Sequence, residues 1–284
     1  MLKGLLRAAS WLPAAAALGS AAGLAAALWM GAPVWGVAAL AGVTAAAFYI
    51  WGYSARGWPA LVHLPRRAYG ASWDAVASSD RAAAVGVSGR GTEEELRASA
   101  EGPVRNLREL AQVCGEDRVL EIGCGVGRIG RELAPLCREW TGADVSANML
   151  GFARERLRGL GNVKLVHLEE VSLAPFEDAS FDLVYSTNMF LHIDEMDRWR
   201  YVEEGLRVLR PGGRMMVETV GMESDEGFAM FLGDAVRFRE LERPPYMPRF
   251  STAAELTAYF TRAGFGSVKS EYRGAWVIAT GVKV

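Results

Sequence analysis

The chain has 284 residues, of which 51% are hydrophobic and 23% are charged, and its formal net charge is −2. A chain of nearly balanced charge lacks the clustered basic excess of nucleic-acid-binding proteins, so no nucleic-acid partner is predicted. Its three cysteines, Cys114, Cys124 and Cys137, have neither the paired spacing nor the histidines of a zinc site. No bound metal is predicted, and the unpatterned thiols favour a reducing compartment.

The N-terminal residues differ from the rest in composition. No Asp, Glu, Lys or Arg occurs between Arg7 and Arg56. Within this interval, residues 11–30 and 34–52 are each close to the ~20 apolar residues that a transmembrane helix needs. We therefore predict a transmembrane helical hairpin in residues 1–55.

Basic residues flank the apolar interval, with Lys3 and Arg7 before it and Arg66 and Arg67 after it. Because positive flanks stay in the cytoplasm, we expect a multi-pass protein of the cell membrane that contacts the bilayer through residues 11–52, with both termini cytoplasmic. Small residues in the helices favour close packing, which also allows a homo-oligomer. Two alternatives are a cleaved signal peptide and an Ala-rich soluble hairpin.

Residues 56–92 are predicted to be a juxtamembrane linker or cap. Their aromatic and basic side chains, such as Trp58 and Trp73, suit a membrane surface, and they equally suit a solvated linker that becomes a capping helix. The remaining residues, 93–284, are predicted to form one globular domain. It opens with a helix over residues 93–113, indicated by the spacing of its apolar side chains.

A glycine-rich loop follows the first predicted strand. Residues 118–122 are mostly apolar or β-branched, and Gly123, Gly125 and Gly127 come next, before a helix predicted to begin near residue 128. Glycine lets a backbone turn sharply and approach a ligand, and the free N–H groups of the helix start lie beside it. Dinucleotide enzymes carry a similar loop, so this pattern alone does not identify the ligand.

The second predicted strand, residues 139–145, carries Asp144 near its end, about 20 positions beyond the loop. An acidic side chain at this place can accept both ribose hydroxyls of an adenosine ligand. Further predicted strands over residues 163–168, 181–186 and 214–220 alternate with helices. The alternation predicts an α/β fold, a Rossmann-like doubly wound and mostly parallel sheet with ligands beyond the carboxyl ends of its strands.

Four motifs, in this order, resemble those of class I S-adenosylmethionine-dependent methyltransferases, particularly the branch that methylates small molecules, quinones and lipids. They are residues 121–127, residues 144–146 with Met149 and Leu150, residues 181–184, and residues 209–213. The similarity covers about residues 70–281. It implies a seven-stranded sheet, S-adenosylmethionine as cofactor and a small-molecule acceptor.

The resemblance further implies that the residues at matching positions contact the cofactor: Glu121, Gly123, Cys124, Gly125, Gly127, Asp144, Val145, Met149, Glu170, Ser186 and Asn188. Glu121 and the glycine-rich loop would hold the methionine end, and Asp144 the ribose. Val145 and Met149 would lie against the adenine, Glu170 would face its amino group, and Ser186 and Asn188 would lie beneath the sulfonium. For each residue the alternative is a loop or capping role.

Methyl transfer from a sulfonium is an in-line displacement, to which an enzyme contributes mainly positioning and exclusion of water. A base is needed only where the acceptor must lose a proton. His192, shortly after the fourth strand, is the candidate base, with packing against the next helix as the alternative. Residues 222–250 form a long apolar connection, which favours either a lid over the acceptor or an extra helix packed on the core.

A catalytic domain held at a bilayer meets acceptors dissolved in it, so we expect a lipophilic acceptor: a quinone or other isoprenoid, a phospholipid head group, or a fatty or polyketide-like product. In a weaker version, the hairpin only recruits the enzyme to a membrane complex. Two other classes compete. A nicotinamide oxidoreductase would share the loop and Asp144, but the chain has no Tyr-x-x-x-Lys pair. A non-catalytic membrane scaffold is disfavoured by the intact glycines.

Overall fold

The computed structural model describes residues 68–89, 91–238 and 247–284. The hairpin predicted in residues 1–55 lies outside these ranges. In the described part of the chain, no helix is both long enough and apolar enough to cross a membrane.

Four helices precede the sheet: α1 (Tyr69–Val76), α2 (Asp80–Ser88), α3 (Glu93–Ala98) and α4 (Glu101–Glu109). The prediction of one helix over residues 93–113 is therefore wrong. The chain tightens after Ala98, where the Ala100 amide bonds the Arg97 carbonyl, and a second helix starts. The apolar spacing persists across this break, although Leu96 of α3 packs in one core cluster and Leu107 of α4 packs in another.

Seven strands and five more helices follow: β1 (Arg118–Ile122), α5 (Arg128–Leu133), β2 (Glu139–Asp144), α6 (Ala147–Arg156), β3 (Val163–His167), β4 (Phe181–Thr187), α7 (Glu195–Val208), β5 (Leu209–Val220), α8 (Asp225–Arg237), α9 (Ala253–Ala263), β6 (Phe265–Arg273) and β7 (Trp276–Lys283). A short 3₁₀ turn, Phe190–His192, lies between β4 and α7.

The strands form one seven-stranded sheet in the order β3-β2-β1-β4-β5-β7-β6. All pairs from β3 to β5 are parallel, while β7 runs antiparallel to both β5 and β6. This arrangement confirms the predicted Rossmann-like fold. After β3 the chain crosses to the other side of β1, and such a reversal leaves a crevice at the carboxyl ends of β1 and β4.

The central strands are buried on both faces, which explains their nearly continuous apolar sequence. In β1, Leu120 and Ile122 pack in one core cluster, whereas Val119 packs in a second cluster across the sheet. Successive side chains of a strand point to opposite faces, so both layers of helices share this strand. The carboxyl end of β1 is therefore held firmly where the glycine-rich loop begins.

Candidate active site

A cavity opens at the carboxyl ends of β1, β2 and β4, the edge of a doubly wound sheet at which ligands bind. Most of the residues predicted from the sequence line it: Glu121, Gly123, Cys124, Gly125, Asp144, Val145, Met149, Asn188 and His192. The structure thus brings together side chains that are far apart in the chain.

Three predicted residues do not line the cavity. Gly127 starts α5 and faces the Leu157 side chain, where an added Cβ would lie 2.9 Å from Leu157 Cδ1. Ser186 is fully buried, and its Oγ donates a hydrogen bond to the Ile122 carbonyl at 3.0 Å, which joins β4 to β1. Glu170 is exposed in the loop after β3. These residues shape or border the site without facing its interior.

The glycine-rich loop brings backbone, not side chains, to the cavity. Gly123 and Gly125 have φ angles of 75° and 52°, in the left-handed region that favours glycine. A Cβ on Gly123 would lie 2.4 Å from Met189 Cγ, and one on Gly125 would lie 2.9 Å from Val87 Cγ1. Any side chain at these positions would collide with the residues that line the cavity, so the loop needs glycine for both conformation and space.

Asp144 is held in the cavity by the backbone around it. Its Oδ2 accepts a hydrogen bond from the Gly125 amide at 2.7 Å, and its Oδ1 accepts one from the Ser146 amide at 2.9 Å. Burial raises the pKa of this carboxyl, and these two amides oppose that rise. Each carboxylate oxygen has a further lone pair, so Asp144 can still accept hydrogen bonds from a ligand.

Glu121 lies at the bottom of the cavity in a chain of buried hydrogen bonds. The Tyr185 hydroxyl donates to Glu121 Oε2 at 2.6 Å, and Trp140 Nε1 donates to that hydroxyl at 3.0 Å. Burial raises the pKa of Glu121 to about 8, although the hydrogen bond from Tyr185 and the charge of Arg128 act in the opposite direction. Glu121 is therefore an oriented acid that a nearby cation would ionise.

Arg128 was not predicted, yet it lines the cavity and is only 7% exposed. Its Nη1 donates a hydrogen bond to the Ser99 carbonyl at 2.5 Å. Burial lowers the pKa of Arg128, and the carboxyls of Glu121 and Glu218 oppose that change. Its place directly after the last glycine of the loop was the available clue. Among the described residues it is the only lysine or arginine that lines the cavity.

Helix α1, within the segment predicted to be a linker or cap, covers the cavity, although none of its residues was predicted to line the site. The buried Tyr69 hydroxyl donates to Asp197 Oδ2 at 2.7 Å and accepts from the Asp194 amide at 3.1 Å. At the other side, Asp74 Oδ1 accepts from Ser146 Oγ at 2.6 Å. The helix is thus tied to the loop after β2 and to the start of α7, on either side of the crevice.

The carboxyl end of β4 supplies the opposite wall. Asn188 has a φ of 59°, a conformation that few residues other than glycine adopt. In the described part of the chain, the buried Thr187 Oγ1 and Asn188 Oδ1 atoms have no hydrogen-bond partner, and both residues line the cavity. Buried polar atoms usually find a partner, so these two are suited to a ligand. The adjacent His192 ring meets Trp73 edge to face, 4.7 Å between centroids.

A fully buried arginine fixes the wall formed after β4. Arg198 Nε donates to the Phe190 carbonyl and Nη1 to Ser251 Oγ, both at 2.8 Å, while Nη2 donates to the Arg249 carbonyl at 3.1 Å. Nη1 also bonds Glu255 Oε1 at 2.8 Å. One side chain therefore joins the 3₁₀ turn that carries His192 to the chain before α9.

Together these features define an α/β enzyme that binds an adenosine-containing cofactor. A glycine loop at the end of β1, a carboxylate at the end of β2 and a covered cavity between them are the parts that such a ligand needs. The comparisons with known proteins identify the family.

The chain matches the family model described as a methyltransferase domain over residues 119–213. It is 30% identical over 178 residues to the O-methyltransferase rstn1 of Aspergillus nomiae, which covers 61% of this chain and 75% of the relative. It is 38% identical over 114 residues to the demethylmenaquinone methyltransferase of Clavibacter sepedonicus, which covers 40% of this chain and 45% of the relative. The solved structure of DhpI with SAH has a similar fold, with a TM-score of 0.55 and 21% identity over 77% of this chain and 97% of DhpI.

The chain belongs to the class I S-adenosylmethionine-dependent methyltransferases, as its motifs predict. Its cofactor is S-adenosylmethionine, so the nicotinamide alternative does not hold. The matches to two of the curated relatives span 46% and 45% of their length, about half of each protein.

Proposed function

We propose that this chain is a membrane-anchored methyltransferase that methylates a lipophilic acceptor. Residues 1–55 would form the anchor, residues 56–92 the connection and cap, and residues 93–284 the catalytic domain, with the domain on the cytoplasmic side. The observation that carries the proposal is the cavity itself: polar groups line its floor at the end of β1 and β2, and apolar and aromatic side chains surround its entrance under α1.

The floor of the cavity fits S-adenosylmethionine. Asp144 would accept hydrogen bonds from the ribose hydroxyls, and Glu121 would face the ammonium of the methionine part. Arg128 would hold its carboxylate. Val145 and Met149 are positioned to pack on the adenine, whereas Glu170 is exposed and does not line the cavity.

When bound, this cofactor supplies an electrophilic methyl group on a sulfonium. The residues of this chain orient the acceptor, exclude water and receive a proton where the acceptor carries one. His192 follows β4, lines the cavity and lies against Trp73, so it is the proposed base for a hydroxyl acceptor. Thr187 Oγ1 and Asn188 Oδ1 offer further hydrogen bonds to the bound molecules.

The acceptor side of the cavity is apolar. Tyr69, Trp73, Met189 and Ile193 line it, and such walls suit a planar or hydrocarbon acceptor. The relative from Clavibacter sepedonicus is named as a demethylmenaquinone methyltransferase, so a quinone is the first acceptor to test. An anchor in residues 11–52 would keep the cavity beside the bilayer in which a quinone dissolves.

Calorimetric titration of the detergent-solubilised chain with S-adenosylmethionine and S-adenosylhomocysteine tests the cofactor site. Asp144→Ala is expected to weaken both by about 100-fold, because hydrogen bonds to a charged group contribute roughly 1.5–3 kcal/mol each. Asp178→Ala, an exposed residue outside the cavity, is the control and is expected to change nothing. Equal affinities of the Asp144 variant and the parent chain would contradict the proposed site.

Methylation of membrane extracts with labelled cofactor tests the acceptor. We expect label in the organic phase, in quinone or another isoprenoid, and its loss in His192→Ala if a hydroxyl is methylated. Label found only in water-soluble products would contradict a lipophilic acceptor. Turnover of the cofactor with any acceptor would exclude the scaffold alternative.

A further inference from the structure

Helix α8 presents an apolar face to the outside. Phe228, Leu232 and Val236 are 47%, 49% and 78% exposed. They are spaced four residues apart and therefore share one side of the helix. Phe231 stacks on Phe228 at 5.7 Å between ring centroids and meets Phe250 edge to face at 5.5 Å. The helix is thus anchored through Phe231, while Phe228, Leu232 and Val236 remain exposed.

This concentration of exposed apolar side chains is particular to α8. In the ranges that the structure describes, the large hydrophobic residues that are exposed are Leu136, Met196, Phe228, Met230, Leu232, Val236 and Val284, and four of these seven lie on this helix. A soluble monomer rarely exposes apolar side chains in such a group, and where it does the group usually marks an interaction surface.

The helix starts at the edge of the sheet where the cavity opens. It follows β5, whose carboxyl end lies beside that of β4 because the two strands are parallel. The chain at Gly221 pairs with Ser251, and the Met222 amide donates to the Ser251 carbonyl at 3.1 Å. Arg198 Nη1 donates a hydrogen bond to the side chain of the same Ser251. Through Ser251, this arginine therefore joins the chain that leads into α8 to the 3₁₀ turn that carries His192.

We propose that this face of α8 lies on the surface of the bilayer and directs the mouth of the cavity toward it. The inference rests on the membrane anchor of the proposed function. Residues 53–68 separate the second apolar stretch from α1, and an extended chain of that length reaches at most about 55 Å at roughly 3.5 Å per residue. A tether of this length keeps the cavity within reach of the bilayer, and an apolar helix face on the same edge of the sheet is the surface suited to contact it.

The test uses the full chain reconstituted in phosphatidylcholine vesicles and a single environment-sensitive label. Cys114→Ser removes the exposed thiol, while Cys124 and Cys137 are buried. In this background one variant carries Leu232→Cys on the apolar face, and the matched control carries Glu116→Cys, exposed before the amino end of β1. Val236→Cys repeats the measurement at a second, more exposed position.

We expect lipids brominated on their acyl chains to quench the label at position 232 by about half or more, since interfacial helices bury their apolar face roughly 5–10 Å into the membrane. The label at position 116 is expected to respond to aqueous iodide only. An unquenched label at positions 232 and 236, in protein that remains in the vesicles after an alkaline wash, would overturn the inference and leave the anchor intact.

Three other outcomes are distinct. Release of the protein by the alkaline wash would contradict the anchor, and with it both proposals. Energy transfer between labels at position 232 of different chains, persisting on dilution with lipid, would show that a second copy covers the face and would overturn the bilayer contact. Lipid quenching at position 116 as strong as at position 232 would also overturn the inference, because the bilayer contact would then not be specific to α8.

Discussion

The two halves of the cavity are built in different ways. On the cofactor side, Asp144 bonds the amides of Ser146 and Gly125, only 2 and 19 residues away along the chain. On the acceptor side, Tyr69 bonds Asp197 across 128 residues. The first half is a pair of turns that local sequence can specify, and the second exists only when distant elements have packed.

The largest effect is expected from replacement of Arg198, whose hydrogen bonds hold the wall of the cavity after β4. We expect Arg198→Met to destabilise the protein by about 3 kcal/mol, because it removes one partner of a buried ion pair and leaves Glu255 and two carbonyls without their donor. Arg200→Met is the matched control, since Arg200 pairs with Glu204 at 3.2 Å on the exposed side of the same helix.

The exposed control is expected to cost at most about 0.5 kcal/mol. Urea unfolding of the solubilised chain measures both values. If the two variants lost the same stability, the buried hydrogen bonds of Arg198 would contribute no more than the ion pair of an arginine on an exposed helix surface.

Glu121 sharpens the comparison on the cofactor side. It is protonated below its pKa of about 8 and ionised above it, and only the ionised form attracts the ammonium of the cofactor. Affinity for S-adenosylhomocysteine is therefore expected to rise about tenfold between pH 6.5 and 8, since one pKa unit corresponds to 1.36 kcal/mol. In Glu121→Gln this dependence should disappear, and calorimetry at several pH values measures it. A parent chain with constant affinity across this range would show that Glu121 does not face the ammonium.

Tyr69→Phe tests whether the cap belongs to the binding site. The variant loses a hydroxyl that bonds both Asp197 and the Asp194 amide. The packing of α1 over the cavity is therefore expected to weaken by about 1 kcal/mol, which lowers cofactor affinity roughly fivefold. Tyr272→Phe removes a similar bond to Glu223, at 2.7 Å, away from the cavity, and it should leave affinity unchanged. Dissociation rates by stopped flow compare the two, and identical rates would count against a role of the cap in retention.

The smallest effect is expected at Glu170. This side chain is exposed and outside the cavity, so Glu170→Gln should alter cofactor affinity by less than about twofold. Calorimetry under the same conditions as for Glu121→Gln checks this. A tenfold loss would mean that the loop after β3 closes on the adenine when the cofactor binds.

The fold was largely predictable because strands and helices alternate in a pattern that allows few topologies. The ends of the helices were harder to predict. The break between α3 and α4 falls between Ala98 and Glu101, and the apolar spacing continues through it. Local hydrogen bonds, such as that of Ala100 to Arg97, decide such a break, and composition does not reveal them.

The cofactor side of the site was predictable from glycines and Asp144, while most of the acceptor side was not. Arg128 follows the loop directly, but arginine at a helix start is usually exposed. Tyr69 and Thr187 become site residues only because α1 and β4 meet across the crevice. Ser186 was misplaced by one position, because alternate side chains of a strand face opposite sides and it is Thr187 that faces the cavity.

The position of α1 has a consequence for synthesis of the chain. Tyr69 leaves the ribosome long before Asp197, its partner 128 residues later. At typical rates of about 5–20 residues per second, the helix waits roughly 10 seconds before its partner is made. A nascent chain therefore passes through a stage in which the residues of β1 and β2 have been made, while Tyr69 still lacks its partner on α7.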